Sequence, residues 1–322
     1  MTESDLAIVF IGRNEGARLQ RCLASLQGVA ARLVYVDSGS SDDSLTHARA
    51  AGAKVVELST DRPFTAARAR NAGFEALENP PEFVQFIDGD CAVQPGWLKA
   101  GRAALKADPA LGIVTGWRSE MHRDRSVYNA LCDFEWHRPA GEILACGGDM
   151  MLRSRAFTQT GGFNETVIAA EDDEFCTRIR KAGWTIRRLP LNMTLHDAAM
   201  TRFGEWWRRA VRSGHGFAQV GALHPEYFRP ERKRVLVFGA ILPLLALLSA
   251  LFFPYGLLVV AAAYLLSYIR TVQGLKRENL PGKEALHHGL FLLLSKFPNL
   301  VGMAIFYWRR LRGHKMNIIE YK

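Results

Sequence analysis

At 322 residues the chain exceeds one average domain, so one large domain with an appendage, or two domains, is expected. Its 41 Lys and Arg against 32 Asp and Glu leave a formal charge of +9, which suits an anionic membrane surface, a phosphorylated substrate or nucleic acid without choosing among them. The five cysteines (Cys22, Cys91, Cys132, Cys146 and Cys176) are widely separated, with no CxxC pair and no His at zinc spacing, so neither a disulfide framework nor structural zinc is indicated and a reducing compartment is the simpler reading.

The N-terminus, Met1 to Asp5, has no basic region, and Leu6 to Ile11 is too short for a signal-peptide core, so the N-terminal part is expected to stay in the cytoplasm. Four β-branched or aromatic runs follow at Leu6 to Ile11, Leu33 to Val36, Lys54 to Leu58 and Phe83 to Ile87. Helical periodicity separates them at Arg18 to Leu26 and Thr65 to Leu77. Strands alternating with helices predict a parallel sheet, and strands apolar throughout predict one covered on both faces. The expected fold class is α/β, doubly wound, with its ligand outside the carboxyl ends of the strands. Asn14, Asp37 and Asp88 fall at those ends. Beyond them the pattern is mixed, with strands expected at Gly112 to Thr115, Met150 to Arg153, Trp184 to Leu189 and near Leu195, and a helix from about Asp172 to Ala182.

At Glu231-Arg-Lys-Arg234 the composition shifts abruptly, dividing an expected domain of residues 1–228 from a membrane-associated helical region of 229–322. The apolar run from Val235 to Ile269 would be about 52 Å long as one helix, against a hydrocarbon core of about 30 Å. Phe253-Pro-Tyr-Gly256 breaks it, so a membrane hairpin over about 235–269 is expected. Basic residues flank both ends, Arg229 to Arg234 and Arg270 to Lys283, which puts both on the cytoplasmic side of an inner membrane. A third apolar stretch, about 286–308, contains His287, His288, Lys296 and Pro298 and runs into Trp308-Arg-Arg-Leu-Arg312. It reads as an interfacial helix or a third span.

Several short motifs carry chemistry. Asp88-Gly89-Asp90 ends a strand with two carboxylates around a glycine that permits a tight turn, the donor type for a hard cation that also touches phosphate; alone it is equally an acidic turn. In Asp37-Ser-Gly-Ser-Ser-Asp42, Ser41 or Asp42 can cap the next helix, which leaves Asp37 to accept hydrogen bonds from a base or ribose. Arg68 and Asn71 lie one helical turn apart, where an arginine fork suits phosphate oxygens, or where both belong to a solvated face. Glu171-Asp172-Asp173-Glu174 opens a helix. The macrodipole favours acids there, but four exceed what capping requires, and crowded like charges lift a carboxyl toward the range of a general base. Cys146-Gly147-Gly148-Asp149 lets the backbone approach a ligand, and Gly161-Gly162-Phe163 shapes the loop before the acids. His196 reads as structural unless the fold brings it to Asp90. Trp206 and Trp207 among arginines from Arg202 to Arg212 suit either a bilayer-facing helix or ordinary packing.

Taken in order, Asn14-Glu15, Val36 to Asp42, Ala67 to Gly73, Asp88-Gly-Asp90, Gly147-Gly148-Asp149, Gly161-Gly-Phe163 and Glu171-Asp172 resemble the inverting nucleotide-sugar glycosyltransferases of family 2, over about residues 6–200. The resemblance implies a GT-A domain, Rossmann-like, with a mixed, mostly parallel sheet. It implies that Asp37 and Asp88 bind base and ribose while Asn14, Glu15 and Arg68 help hold the donor. Asp90 would bind Mn²⁺ or Mg²⁺ with His196 completing the coordination, Asp172 would be the general base with Glu171 beside it, and Gly148 and Asp149 would contact the acceptor. The run of acids leaves Asp172 and Asp173 both open as the base. The implied partners are a nucleotide-sugar, UDP-sugar first, a lipid-linked or membrane-proximal saccharide acceptor, and membrane lipids, as in bacterial polysaccharide or cell-envelope glycan synthesis.

Two other functions compete. A polyprenyl-phosphate glycosyltransferase has an acceptor that is already ionised, which leaves the acidic cluster without a task. A non-catalytic nucleotide-sugar-binding membrane scaffold would not need Asp88, Asp90 and the acids together. A processive synthase needs more spans than this tail offers, and no nucleic-acid recognition module is present in the sequence.

Overall fold

The computed structural model describes residues 5–314, 316, 317 and 319. Met1 to Ser4, on which the N-terminal expectation partly rests, and the remaining positions at the end of the 229–322 region lie outside the described residues. The four early strands form where expected: β1 (Leu6–Gly12), β2 (Arg32–Asp37), β3 (Lys54–Glu57) and β4 (Phe83–Asp88). Helices α1 (Ala17–Ser25), α2 (Ser44–Ala50) and α3 (Ala66–Glu75) lie between them. Next come β5 (Cys91–Val93), α4 (Trp97–Ala107), β6 (Leu111–Glu120), α5 (Val127–Trp136), the two-residue β7 (Gly141–Glu142), β8 (Met150–Arg153), α6 (Ser154–Thr160), α7 (Glu171–Lys181) and β9 (Thr185–His196). The strands expected at 184–189 and near 195 are one continuous strand, β9. Pro190 is tolerated within it where the ladder to β6 is irregular.

The strands make one mixed sheet in the order β3-β2-β1-β4-β8-β6-β9-β5, with β7 on β9. The pairs β1–β2, β2–β3, β1–β4 and β6–β9 are parallel, whereas β8 runs antiparallel to β4 and β6, and β5 and β7 run antiparallel to β9. Alternation along β1 feeds two cores. Ala7, Val9 and Ile11 pack with α3, α6 and α7 on one face, and Leu6, Ile8 and Phe10 pack with α1, α2 and α4 on the other. Burial of each large side chain contributes about 1.5–3 kcal/mol, which is why strands apolar throughout are retained. Gly73 lets α3 lie close on the sheet, because a Cβ there would overlap Val9 and Val36.

By packing, residues 5–124 and 132–199 form one compact unit, and 125–131 with 200 onward form another. The change of composition near residue 228 is therefore not where the packing divides. The cause is α8 (Phe203–Leu223), which groups with the helical tail: α9 (Arg229–Leu236), a wider-wound turn over 237–241, α10 (Leu242–Phe252), α11 (Gly256–Arg277), α12 (Gly282–Leu294) and α13 (Lys296–Leu311). At the crossing of α8 and α13, a Cβ at Gly214 would overlap the backbone of Asn299, and one at Gly302 would overlap that of Val211. Glycines on both sides allow backbone-to-backbone approach.

Three helical stretches, Arg229–Phe252, Gly256–Arg277 and Gly282–Leu311, are long and apolar enough to cross a membrane. The turn between the first two falls at Phe253 to Tyr255, as the sequence suggests. Within the third, 33% of the most apolar window is buried inside the protein, against 11% in each of the others. The α13 part of that stretch is committed to α8 through Pro298, Asn299, Gly302, Met303 and Phe306.

Candidate active site

The carboxyl ends of β2, β1 and β4 carry the first group of residues. Asn14 adopts the left-handed conformation (φ 54°), which Asn tolerates better than most side chains. Its Oδ1 accepts the Ser41 N–H at 2.7 Å and its own N–H donates to Ser40 Oγ at 2.9 Å, tying the β1–α1 loop to the β2–α2 loop. Glu15 pairs with Arg18 at 3.0 Å. Asp37 ends β2. It is buried, with Oδ2 accepting the N–H groups of Gly39 and Ser40 and Oδ1 accepting the hydroxyls of Ser40 and Tyr35. The carboxylate holds the turn, and the loop it shapes, not a free oxygen, is what faces outward.

The guanidinium of Arg68, expected to help hold the donor, donates to the carbonyls of Ser59, Arg62 and Pro63 and so clamps the β3–α3 loop. The arginine that enters the crevice is Arg70, two residues on and therefore about 200° around the helix. Arg70 is buried, with Nη2 2.8 Å from Asp88 Oδ1 and Nη1 2.9 Å from Glu171 Oε1. It bridges the end of β4 to the head of α7. Asn71 binds the Phe163 N–H and C=O and so fixes the loop before the acids.

Asp88 is shared between two arginines, since its Oδ2 lies 3.1 Å from Arg118 Nη2. Against a large cost of burial, Arg70 and Arg118 hold its carboxyl below the ordinary range. Asp149, at 1% exposed, accepts from Arg118, from Thr194 Oγ1 at 2.7 Å and from the Asp88 N–H at 3.1 Å, and so positions its neighbours. Gly148 likewise serves Arg70, because a Cβ there would overlap its guanidinium, whereas the exposed Gly147 brings bare backbone beside Asp172.

At the head of α7 the four acids part. Glu171 faces Arg70, and Glu174 makes a two-pronged pair with Arg178 of its own helix. Asp172 is half-buried at the crevice. Burial, then the charge of Glu171, lifts its carboxyl to about 6, with Arg70 opposing. Asp173 is half-buried beside it, and its N–H donates to Asp172 Oδ1 at 3.0 Å.

The sheet brings Asp90 and His196 together, because β5 runs antiparallel to the end of β9 with Cys91 opposite His196. Asp90 Oδ2 lies 3.2 Å from His196 Nε2. Two adjacent ligand atoms around a six-coordinate cation at about 2.1 Å are separated by about 3 Å, so the pair fits one edge of such a site. One imidazole with one carboxylate suits Mn²⁺ better than Mg²⁺. Cys91 Sγ is also near, and burial, followed by the charge of Asp149, pushes its thiol up. Sequence reasoning missed Arg70, Arg118, Glu120 and Trp136. Only Arg70 left a signal, as the helical neighbour of Arg68 and Asn71.

A mixed sheet whose parallel strands end in an Asp-Gly-Asp turn, faced by an acid-headed helix across a glycine loop, defines the GT-A class of nucleotide-diphospho-sugar transferase folds. Residues 7–161 match the family profile described as glycosyl transferase family 2, and residues 125–202 match that described as N-terminal domain of galactosyltransferase. Over residues 7–161 this chain is thus similar to glycosyltransferase family 2. It is 28% identical over 242 residues to the pre-mycofactocin glycosyltransferase of Mycobacterium tuberculosis, in both strain CDC 1551 / Oshkosh and strain ATCC 25618 / H37Rv. The match covers 70% of this chain and 49% of the relative, so the chain spans about half the length of the curated relatives it matches. Among solved structures it superposes on the mannosyltransferase PcManGT of Pyrobaculum calidifontis, in complex with GDP-Man and Mn²⁺, with a TM-score of 0.58 and 18% identity, covering 95% of this chain and 88% of that one. The last likeness is one of fold.

Proposed function

We propose that this chain is an inverting, metal-dependent glycosyltransferase that moves a sugar from a nucleotide-sugar, a UDP-sugar first, to a lipid-linked or membrane-proximal saccharide in bacterial cell-envelope glycan synthesis. In this reading residues 1–228 are the catalytic region, facing the cytoplasm, and 229–322 attach it to the inner membrane. The observation that carries it is Asp172: a half-buried carboxyl lifted to about 6, beside the Gly147 backbone and linked through Glu171 and Arg70 to the Asp88 strand end.

In the proposed roles Asp172 takes the proton from the acceptor hydroxyl, which attacks the anomeric carbon from the face opposite the diphosphate. One displacement of this kind inverts the configuration. Asn14, Glu15 and Asp88 hold the donor, with Asp37 acting through the loop it fixes. Arg70, with Arg118, sets the charge of Asp88 and the distance between donor and base. Gly147 offers backbone to the acceptor, while Gly148 and Asp149 keep Arg70 and Arg118 in place. Asp90 and His196 would hold the divalent cation, which supplies charge neutralisation to the leaving diphosphate. The relation to pre-mycofactocin glycosyltransferase supports transfer of a sugar and leaves the acceptor to be found by assay.

The test is nucleotide release from UDP-, GDP- and dTDP-sugars by detergent-solubilised protein with host lipid extract, with and without Mn²⁺. Lipid- and metal-dependent release from one donor, lost in Asp90→Asn and Asp172→Asn, is expected. Unchanged release in Asp172→Asn would remove the base and favour an already ionised acceptor such as a polyprenyl phosphate.

A further inference from the structure

We infer that Glu120 is a positioning residue for the metal site, the carboxylate that accepts a hydrogen bond from the Nδ1–H of His196 and so turns its Nε2 lone pair toward Asp90. The inference rests on the metal reading of Asp90 and His196 given above.

The backbone makes the placement. Glu120, the last residue of β6, lies opposite His196, the last residue of β9, in a parallel register, and the Met121 N–H donates to the His196 carbonyl at 2.8 Å. The Glu120 N–H is held by Asp133 Oδ1 at 2.8 Å. Its carboxylate is buried and anchored at both ends. Oε1 accepts the His122 N–H at 3.0 Å, and Oε2 accepts the Ala198 N–H at 2.9 Å, which ties down the chain leaving β9 two residues after His196. The same Oε2 lies 3.8 Å from His196 Nδ1.

That nitrogen has no hydrogen-bond partner within the described residues, although the ring is buried. The other face of the ring is closed by Trp136, edge-on with centroids 4.8 Å apart, so the ring is not free to turn away. An imidazole that gives Nε2 to a cation carries its proton on Nδ1, and a buried N–H needs an acceptor. A shift of roughly 0.8 Å brings Glu120 Oε2 to hydrogen-bond distance. A carboxylate behind a ligating histidine fixes the tautomer and raises the ring's donor strength, and its loss weakens metal binding about 10- to 100-fold.

The experiment titrates the detergent-solubilised full chain with Mn²⁺ alone, following loss of the free-ion signal by electron paramagnetic resonance. Wild type, Asp90→Asn, Glu120→Gln, His196→Ala and the double variant Glu120→Gln/His196→Ala are compared. Binding abolished in Asp90→Asn, weakened about 10- to 100-fold in Glu120→Gln, and no weaker in the double variant than in His196→Ala, is expected. No binding by wild type, or undiminished binding in Asp90→Asn, would sink the metal reading and this inference with it. Binding that needs Asp90 but is as tight in Glu120→Gln as in wild type overturns the role of Glu120 alone, as does equal weakening with and without His196. If Glu120→Gln does not fold, ¹⁵N shifts of His196 in the wild-type protein with Mg²⁺ at pH 8 decide. A proton on Nδ1 supports the inference, and one on Nε2 overturns it.

Discussion

Arg70 joins two acids, and removing its charge tests whether that junction organises the site. Arg70→Met keeps most of the volume and deletes the cation. Asp88 still has Arg118 at 3.1 Å, whereas Glu171 loses the partner it holds at 2.9 Å, so the damage falls on one side. Breaking a buried pair by removing one member costs about 3–5 kcal/mol, because the remaining charge is left in a poorly solvating site. For a unit of this size that corresponds to a fall in melting temperature of about 6–20 °C. Thermal unfolding followed by tryptophan fluorescence in detergent measures it. Glu171→Gln added to Arg70→Met removes the stranded charge and is expected to recover more than half of the loss, although Glu171→Gln alone destabilises. A melting temperature for Arg70→Met within about 2 °C of wild type, or no recovery in the double variant, would show that the pair carries no such energy.

Four further outcomes are expected. Asp172 acts as a base only when ionised, so with its carboxyl at about 6 the rate is lost as pH falls through that value; nucleotide release at saturating Mn²⁺ should be roughly ten-fold lower at pH 5 than at pH 7, and a flat profile would contradict the assignment. Gly148→Ala pushes a Cβ into the Arg70 guanidinium and should lower release at least ten-fold, whereas Gly147→Ala, at an exposed position, leaves the melting temperature near wild type; equal effects would refute the distinction. Asp37→Asn presents an amide to two N–H and two hydroxyl donors and should cost about 1–3 kcal/mol, measured by the same unfolding assay. Gly302→Leu collides with the Val211 carbonyl and should sharply reduce the yield of folded protein, while Leu290→Ala on an exposed face of α12 should not.

The first half of the sheet was legible because β1, β2 and β4 are buried and apolar almost throughout, and helical periodicity separates β1 from β2 and β3 from β4. β5 and β7 were not legible. They are three and two residues long, and both exist only because β9 offers an edge to pair with. The place of Arg70 in the crevice was not legible for a related reason. Helical spacing shows which residues share a face, but not which face meets the crevice, and here the Arg68 face meets a loop. The contacts of Gly148 with Arg70 and of Asp149 with Arg118 were equally illegible. A small residue and a carboxylate read the same in sequence whether they face a ligand or a buried arginine.

The sequence alone determined the α/β class, the order of the motifs, the acidic head of α7 and the apolar tail, since each depends on local pattern: period, turn chemistry and composition. Only the tertiary structure decided that His196 reaches Asp90, that Arg70 links Asp88 to Glu171, that the Asp172 carboxyl is lifted, and that α8 packs with the tail. These facts depend on residues up to 106 positions apart, Asp90 to His196. Strand register, burial and the field of neighbouring charges fix them, and none of these is a property of a local segment.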